Sequence, residues 1–565
     1  MQSKKPVVLC LVAAVLLTSA VFGANPSNLY GRGARATNGV VAAAKPEASQ
    51  VGVDILKKGG NAVDAAIATA FALGVLEPNA SGLGGGGFMI IKLVDMTEPV
   101  IIDFREWAPL RPTADMYKFN ARNQVIGNEN AIGGKASGIP GEVAGLLFAL
   151  ERYGTMTRAE VIAPAIEWAE KGIPVSANLR QIMMDNYMKL LEFDATAKIY
   201  LNDDLPYEVG ETLYLKDLAR TLRKIAQEGA SAFYTGEIAR QIVEEVGKRG
   251  GLFTLEDLAS YEVKVRTPVK GTYRGYQILS TPPVSSGGAH LIELLNILEN
   301  YDLSAIGANT PLWAHLWSEA MKLVFADLSK YMADTDFITV PLEGITSKAY
   351  ARERAKEISL TGPMPTVIAG DAWANQAGST THLSVADKEG NMVAITKSIN
   401  SFFGSGVVIP GTGILMNNHM DDFDLRPGSA NSIEPKKRPL SSMCPTLVMT
   451  PDGRPFMAIG SPGAFRIITT IAQVISGVID HGMDINTAIL APRLFRTHSG
   501  PMSVEGRISL ATYEALRKMG HELDVRGDFD HFFGGVQAVL YLHDQTVLVA
   551  GADPRRAGQA IGYYP

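Results

Sequence analysis

Three consecutive hydroxyl residues, Ser379, Thr380 and Thr381, precede His382 in the stretch NQAGSTTHLSVADKEG, residues 375–390. A hydroxyl is a weak nucleophile until a base takes its proton, and a nearby histidine is the obvious base. Geometry counts against His382. The alternation reads as a strand, which puts Thr380, His382 and Ser384 on one face and turns Thr381 away. Same-face neighbours stand two rises apart, roughly 6.5–7 Å, which is far for direct proton transfer. A threonine that begins a strand has another source of base. If the chain is cut before it, its own α-amine can accept the proton. A free α-amine titrates at about 7.7–8.0, near working pH, and the tether to the nucleophile nearly fixes its position. Threonine is also simply a good strand former, so spacing alone leaves a structural Thr380 open.

The elements that must position this stretch are legible around it. TTHLSVAD and NMVAITKSI read as two strands joined by Lys388-Glu389-Gly390, a hairpin signal. GILMNN, TLVMT and FMAIG read as further strands, VQAVLYL and QTVLVAG as a closing hairpin, and SPGAFRIITTIAQVISGVI as a glycine turn opening a helix. Upstream, Pro46 to Lys58 predicts a helix ended by Gly59-Gly60, and Asn61 with Asp64 predicts a capping box for a second helix running to about Leu76. Residues 140–360 are mostly helical by their three-and-four apolar spacing, with TYRGYQILSTPP strand-like. The Trp and Met residues of HLWSEAMKLVF belong in a core. Hairpins with helices set to the side imply a layered α+β fold rather than alternating βαβ units. SGLGGGGFMIIKLV contains G-x-G-x-x-G, but a helix precedes it and a strand follows it. A dinucleotide fingerprint needs strand, glycines, then helix. Close backbone approach is the reading the glycines support.

Bulk properties bound the function. The 565 residues can bury a large core, and length alone would allow three or four domains. A net charge of −6 without a basic patch excludes nucleic-acid binding. The nine histidines fall in no metal-ligand spacing, so no metal is expected. MQSKK followed by PVVLCLVAAVLLTSAVFGA reads as a secretory signal peptide, residues 1–24, although the apolar stretch is nearly long enough to serve as an uncleaved anchor. Its removal takes Lys4, Lys5 and Cys10 and leaves Cys444 alone, so no internal disulfide is expected.

The run STTHLSVADKEGNMVAITKSINSFFGSGVVIPGTGILMNNHMDDF resembles the γ-glutamyltransferase (glutathione hydrolase) family of N-terminal nucleophile hydrolases. IDFREWAP, SGIPGEVAGL, TPPVSSGG, KRPLSSMCPTLV, GSPGAFRIITT and ADPRRAG also resemble blocks of that family, in order along nearly the whole chain. The resemblance implies a four-layer αββα sandwich. It implies self-cleavage between Ser379 and Thr380, giving a large subunit of residues 25–379 and a small one of residues 380–565 that stay together as a heterodimer. Thr380 would take the γ-glutamyl group of glutathione or a related amide as an acyl-enzyme. Water would then complete hydrolysis, or an amino acid or peptide acceptor would complete transfer. No cofactor is implied.

The resemblance also assigns the pocket. Arg105 matches the residue that holds the substrate carboxylate, a role suited to a guanidinium, and Ser441 and Ser442 match serines that help it. A surface salt bridge for Arg105 and a simple turn for the serines are the structural alternatives. Asn400 and Asp422 match residues that hold the ammonium, with Asp421 the outward-facing alternative. Gly463 and Ala464 stand where two N–H groups form the oxyanion hole. Ala464 replaces a glycine, and its donor survives provided φ is negative there. Ser398 replaces a threonine that orients the nucleophile. His419 replaces Gln or Glu beside the ammonium. If protonated it would repel that group, which predicts weaker activity below about pH 6.5. The short segment from Asp424 to Lys437 predicts a site without a lid, open to larger γ-glutamyl peptides. A related acylase acting on glutaryl or other acyl amides, and a secreted binding protein that is never cut, are the competing readings. Export would place the protein in the periplasm or outside the cell.

Overall fold

The computed structural model describes residues 30–365 and 379–565. The expected signal peptide, Cys10 and the stretch just before Ser379 lie outside the described residues. Two seven-stranded antiparallel sheets lie face to face between two helical layers. The first sheet runs in the order 34–36, 547–552, 537–542, 455–460, 446–449, 276–280, 269–273. The second runs 559–563, 39–43, 379–387, 392–400, 86–92, 100–104, 264–266. Helices Pro46–Lys57 and Ala62–Leu76 cover the outer face of the second sheet, and Gly287–Leu298 and Arg466–Ile479 cover the first. This is the αββα sandwich that the resemblance implied. Length had allowed three or four domains, but both sheets take strands from either side of Ser379, so the described chain builds one double-sheet body.

Asn61 caps the helix Ala62–Leu76 through the expected box with Asp64. Every residue of that helix is buried, because it lies between the second sheet and neighbouring helices. Trp317 and Met321 are fully buried, as expected. The hairpin after Ser379 also forms: Ser379–Asp387 pairs with Met392–Asn400. Its polar alternation does not face water, and all nine residues of Ser379–Asp387 are buried. The sheet is covered on both sides, so the polar positions point into the sheet–sheet interface and must find partners there.

The glycines of 84–87 act by close approach. A Cβ on Gly84 would lie 2.1 Å from the Leu415 carbonyl oxygen, one on Gly85 would lie 2.2 Å from that of Ser398, and one on Gly87 would lie 2.3 Å from that of Thr396. Their absent side chains let this segment lie directly against the strand that carries Ser398. Among the described residues, no helix is long and apolar enough to cross a membrane.

Candidate active site

Thr380 sits where the ladder slips. Ser379 pairs with Asn400 and Thr381 with Lys397, so Thr380 stands opposite two residues, Ser398 and Ile399, at a bulge. Bulges of this kind re-aim a side chain. Thr380 Oγ1 donates to Ser398 Oγ at 3.2 Å, and Ser398 Oγ donates to the Ser379 carbonyl oxygen at 2.6 Å and accepts the Asn400 N–H at 2.8 Å. One hydroxyl thus touches both the candidate nucleophile and the carbonyl of the peptide bond before it. His382 has other partners. Its Nδ1 meets Thr396 Oγ1 at 2.8 Å and its Nε2 meets Ser384 Oγ at 3.0 Å. Burial pushes its pKa down to about 3. His382 is a structural histidine of the interface between the sheets. Ser398→Ala should slow both chain cleavage and turnover, by about 100-fold for a lost positioning contact. Ser398→Thr should restore both. Band conversion on a denaturing gel and anilide release check this.

The charged end of the cleft is built by loops. Arg105, 1 % exposed, follows the strand Val100–Phe104, and its Nη2 pairs with Asp422 Oδ2 at 2.5 Å. The same guanidinium donates to the carbonyl oxygens of Leu440 (2.9 Å) and Pro439 (3.3 Å). The surface salt bridge weighed for Arg105 is therefore replaced by a buried pair. Asp422 ends the short 3-10 turn His419–Asp422. Asn431 secures that turn by donating to the Asp422 carbonyl at 2.8 Å and accepting the Leu440 N–H at 3.1 Å. The segment from Asp424 to Lys437 folds back on itself, with the Asp424 N–H bonded to the Asn431 carbonyl and Arg426 over the Phe119 ring. Asn400, at φ +76°, donates to the Asn418 carbonyl at 3.1 Å. Asp421 is occupied by Asn130 and does not line the cleft.

Burial raises the Asp422 pKa, and the Arg105 charge opposes that shift. Burial and then the Arg105 charge push His419 well below its ordinary value, against the pull of Asp422. This corrects the expectation that His419 would charge below about pH 6.5. The Michaelis constant of a γ-glutamyl donor should be flat between about pH 6 and 7. An inflection there in KM against pH would show that the imidazole charges after all. Sequence reasoning also missed Glu106. It is fully buried, its Oε1 lies 2.8 Å from His419 Nδ1 but off the line of a hydrogen bond, and burial pushes it up to about 8 despite the Arg105 charge. Its adjacency to Arg105 in FREW was the available signal.

Gly463 and Ala464 depart from expectation in two ways. They do not open the helix: it begins at Arg466, with Phe465 as its cap. Ala464 lies at φ +51° and Gly463 at φ +128°. The condition of a negative φ at Ala464 is therefore not met. Both N–H groups nonetheless lack an acceptor among the described residues. A left-handed alanine costs about 1 kcal/mol. Ala464→Gly should therefore raise stability by roughly 0.5–1 kcal/mol, read as a higher denaturant midpoint.

Arg105, Thr380, Ser398, Asn400, His419, Asp422, Ser441, Ser442 and Ala464 all line one cleft. Of the residues singled out in the sequence for nucleophile, substrate or oxyanion, Gly463 alone is not among its walls. Ser441 Oγ caps the N–H of Met443 at 3.1 Å, and its carbonyl accepts from the N–H and Oγ of Ser286. Ser441 is therefore part of a turn as well as a wall of the cleft. Among the described residues one trio has metal-ligand spacing: His315, Glu319 and His521. Hydrogen bonds already engage it: His315 bonds His521 and the Ser359 carbonyl, Arg496 donates to His521, and the Met364 N–H donates to Glu319. Cationic Lys322 and Arg496 stand beside it.

The sequence profile described as Gamma-glutamyltranspeptidase matches residues 48–563. A glutathione hydrolase proenzyme from Escherichia coli is 40% identical over 544 residues, spanning 94% of this chain and 92% of the relative. An acylase proenzyme from Pseudomonas sp. (strain SE83) is 39% identical over 519 residues, spanning 91% and 92%. The crystal structure of a cephalosporin acylase from Bacillus halodurans superposes with a TM-score of 0.85 at 33% identity, covering 94% of this chain and 97% of that one.

Proposed function

The chain belongs to the gamma-glutamyltranspeptidase family, and from that premise we propose that it cuts itself before Thr380 and then hydrolyses or transfers γ-glutamyl groups through an acyl-enzyme on Thr380. The observation that carries this reading is the buried Arg105–Asp422 pair on the cleft that holds Thr380. A free amino acid end brings one carboxylate and one ammonium. Insertion between a cation and an anion that already face each other satisfies all four charges, with charge-assisted bonds on both sides. Ser441 and Ser442 add hydroxyls beside the carboxylate, and Asn400 adds an amide beside the ammonium.

In the uncut chain, Thr380 Oγ1 attacks the Ser379 carbonyl carbon, whose oxygen holds the Ser398 hydroxyl. The C–N bond breaks, the nitrogen takes a proton, and an ester remains. Water hydrolyses the ester, freeing the Ser379 carboxylate and the Thr380 amine. Both sheets contain strands from before and after the cut, so the two pieces of residues 25–379 and 380–565 stay together. In turnover the α-amine takes the Thr380 hydroxyl proton, and Oγ1 attacks the γ-carbonyl. The oxyanion is placed on the N–H groups of Gly463 and Ala464. The amine passes its proton to the leaving nitrogen, and then activates water or an acceptor amine in the same place. Residues 1–24 are read as the export signal, with the mature protein in the periplasm or medium.

Comparing p-nitroaniline release from γ-glutamyl and glutaryl anilides tests the reading, because the two differ only by the α-amino group. Much faster γ-glutamyl turnover is expected. Equal or faster glutaryl turnover would favour the second reading, an acylase. The acylase relative and the neutral His419 beside Asp422 both speak for that alternative.

A further inference from the structure

A cavity of about 600 Å³ opens away from the Thr380 cleft and shares no wall residue with it. That volume lies in the range of small-molecule sites. The helix Pro46–Lys57 begins at one wall, with Lys45 in its cap position. The helix Ala177–Asp185 begins at another, capped by Ser176. Ala557 and Gln559 belong to a third, beside Arg32. Between the helix starts the lining is apolar and comes from Leu76, Ile173 and Leu179, side chains otherwise buried in the core.

The cations of this cavity are not matched by anions. Arg32 Nη1 donates to the Gly558 carbonyl at 2.6 Å, while its Nε and Nη2 have no partner among the described residues. Asp553 acts on Arg32 only through space, because Arg493 and Arg555 hold that carboxylate at 2.6 and 3.1 Å. Burial lowers the Arg32 pKa more than Asp553 raises it. The Lys45 ammonium has neither hydrogen bond nor ion pair among the described residues. Its position makes this unusual. A cap residue normally lends an oxygen to the first N–H groups, and the positive end of a helix disfavours a cation. Lys45 provides no side-chain cap, and the Glu47 N–H finds no acceptor among the described residues. The Ala177 N–H at the second helix start finds none either. Glu47 lies in the first turn, where its charge suits its own helix, and it pairs with neither cation. A residue that breaks a local stability rule without compensation is expected where a ligand is bound.

Two unmatched cations beside apolar walls define the ligand by complementarity. We propose that this cavity binds a small organic carboxylate with an apolar body, its carboxylate on Arg32 and Lys45 and its body against Leu76, Ile173 and Leu179. An inorganic anion would leave the apolar walls in water, and a neutral amphiphile would leave both cations unmatched. The anion also meets the positive ends of two helices, which adds to its binding. The site stands apart from the γ-glutamyl reading, since it shares no wall with the cleft that holds Thr380.

Isothermal titration calorimetry of the full wild-type protein tests this, with octanoate, butyrate, octan-1-ol and inorganic phosphate as probes. Octanoate should bind at one site and more tightly than butyrate, by about fourfold for each further methylene buried. Added salt should weaken it. Octan-1-ol lacks the charge and should bind at least about tenfold more weakly, the scale of one charge-assisted contact. Phosphate lacks the apolar body and should also bind more weakly than octanoate. Lys45→Ser separates loss of the site from loss of the fold. Serine is a good cap, so this variant should show a higher denaturant midpoint and yet bind octanoate at least about tenfold more weakly. Arg32→Gln should weaken octanoate to a similar degree. Octanoate affinity unchanged in both variants would overturn the site. So would octan-1-ol or phosphate binding as tightly as octanoate, or no octanoate binding at all.

Discussion

Thr380→Ala should yield one uncut chain with γ-glutamyl turnover reduced at least ~10⁴-fold, the scale seen when a covalent nucleophile is removed. The loss has two causes that can be separated. Without the hydroxyl, nothing attacks the Ser379 carbonyl, so the α-amine that would serve as base is never released. Nor is there an atom on which to form the acyl-enzyme. Thr380→Ser keeps the hydroxyl and should cleave and turn over, more slowly because the missing methyl lets the side chain rotate in its bulge. A denaturing gel separates the precursor from its two pieces, and anilide release reports turnover. Two bands from Thr380→Ala would mean that another group cuts the chain, and the Ser398 contacts to Thr380 and Ser379 would need a different explanation. His382 cannot substitute: its two ring nitrogens are bonded to Thr396 and Ser384, and its pKa near 3 leaves it a poor proton acceptor.

Asp422→Asn should change which acyl group the enzyme prefers. Asp422 is the anion that an incoming ammonium would meet, and it is also the partner of Arg105 at 2.5 Å. With asparagine the ammonium loses a charge-assisted bond, about 1.5–3 kcal/mol, so kcat/KM for the γ-glutamyl anilide should fall roughly 10- to 100-fold. A glutaryl group brings a carboxylate and no cation. In the parent it competes with Asp422 for Arg105. In the variant that repulsion disappears, so glutaryl turnover should hold or rise. The γ-glutamyl-to-glutaryl ratio should therefore drop about 100-fold or more. The pH dependence follows with its sign. Burial raises the folded pKa of Asp422, so in the parent the advantage of γ-glutamyl donors is lost as pH falls through that raised value. The asparagine variant has no such loss. An unchanged ratio would place the ammonium elsewhere, for example on Asn400 and backbone carbonyls.

Several parts of this architecture were legible in one dimension because they rest on local rules. The Asn61–Asp64 cap, the hairpin at Lys388-Glu389-Gly390 and the closing hairpin of 537–552 follow from residue types a few positions apart. The glycines of 84–87 were legible as a close-approach segment, though not what they approach. The pocket was legible only through resemblance. Arg105, Thr380, Asp422 and Ser441 are separated by tens to hundreds of positions, and no spacing rule connects them.

The sequence by itself determined the chemistry on offer: a threonine able to begin a strand, an arginine and an aspartate of the right types, and a layered α+β pattern. It could not determine protonation or backbone state, because both depend on what packs around a group. His419 reads as a pH switch in the chain, but burial and the Arg105 charge keep it neutral. Ala464 reads as a mild replacement until its φ of +51° appears. Glu106 and Arg556 are ordinary charged residues in the chain. Only the folded protein holds one at a pKa of about 8 and leaves the Nε of the other without a hydrogen-bond partner. The reason is physical. Residue type sets what a group can donate, accept or attack, whereas desolvation and the field of distant neighbours decide whether it does, and those arise only when the two sheets close on each other.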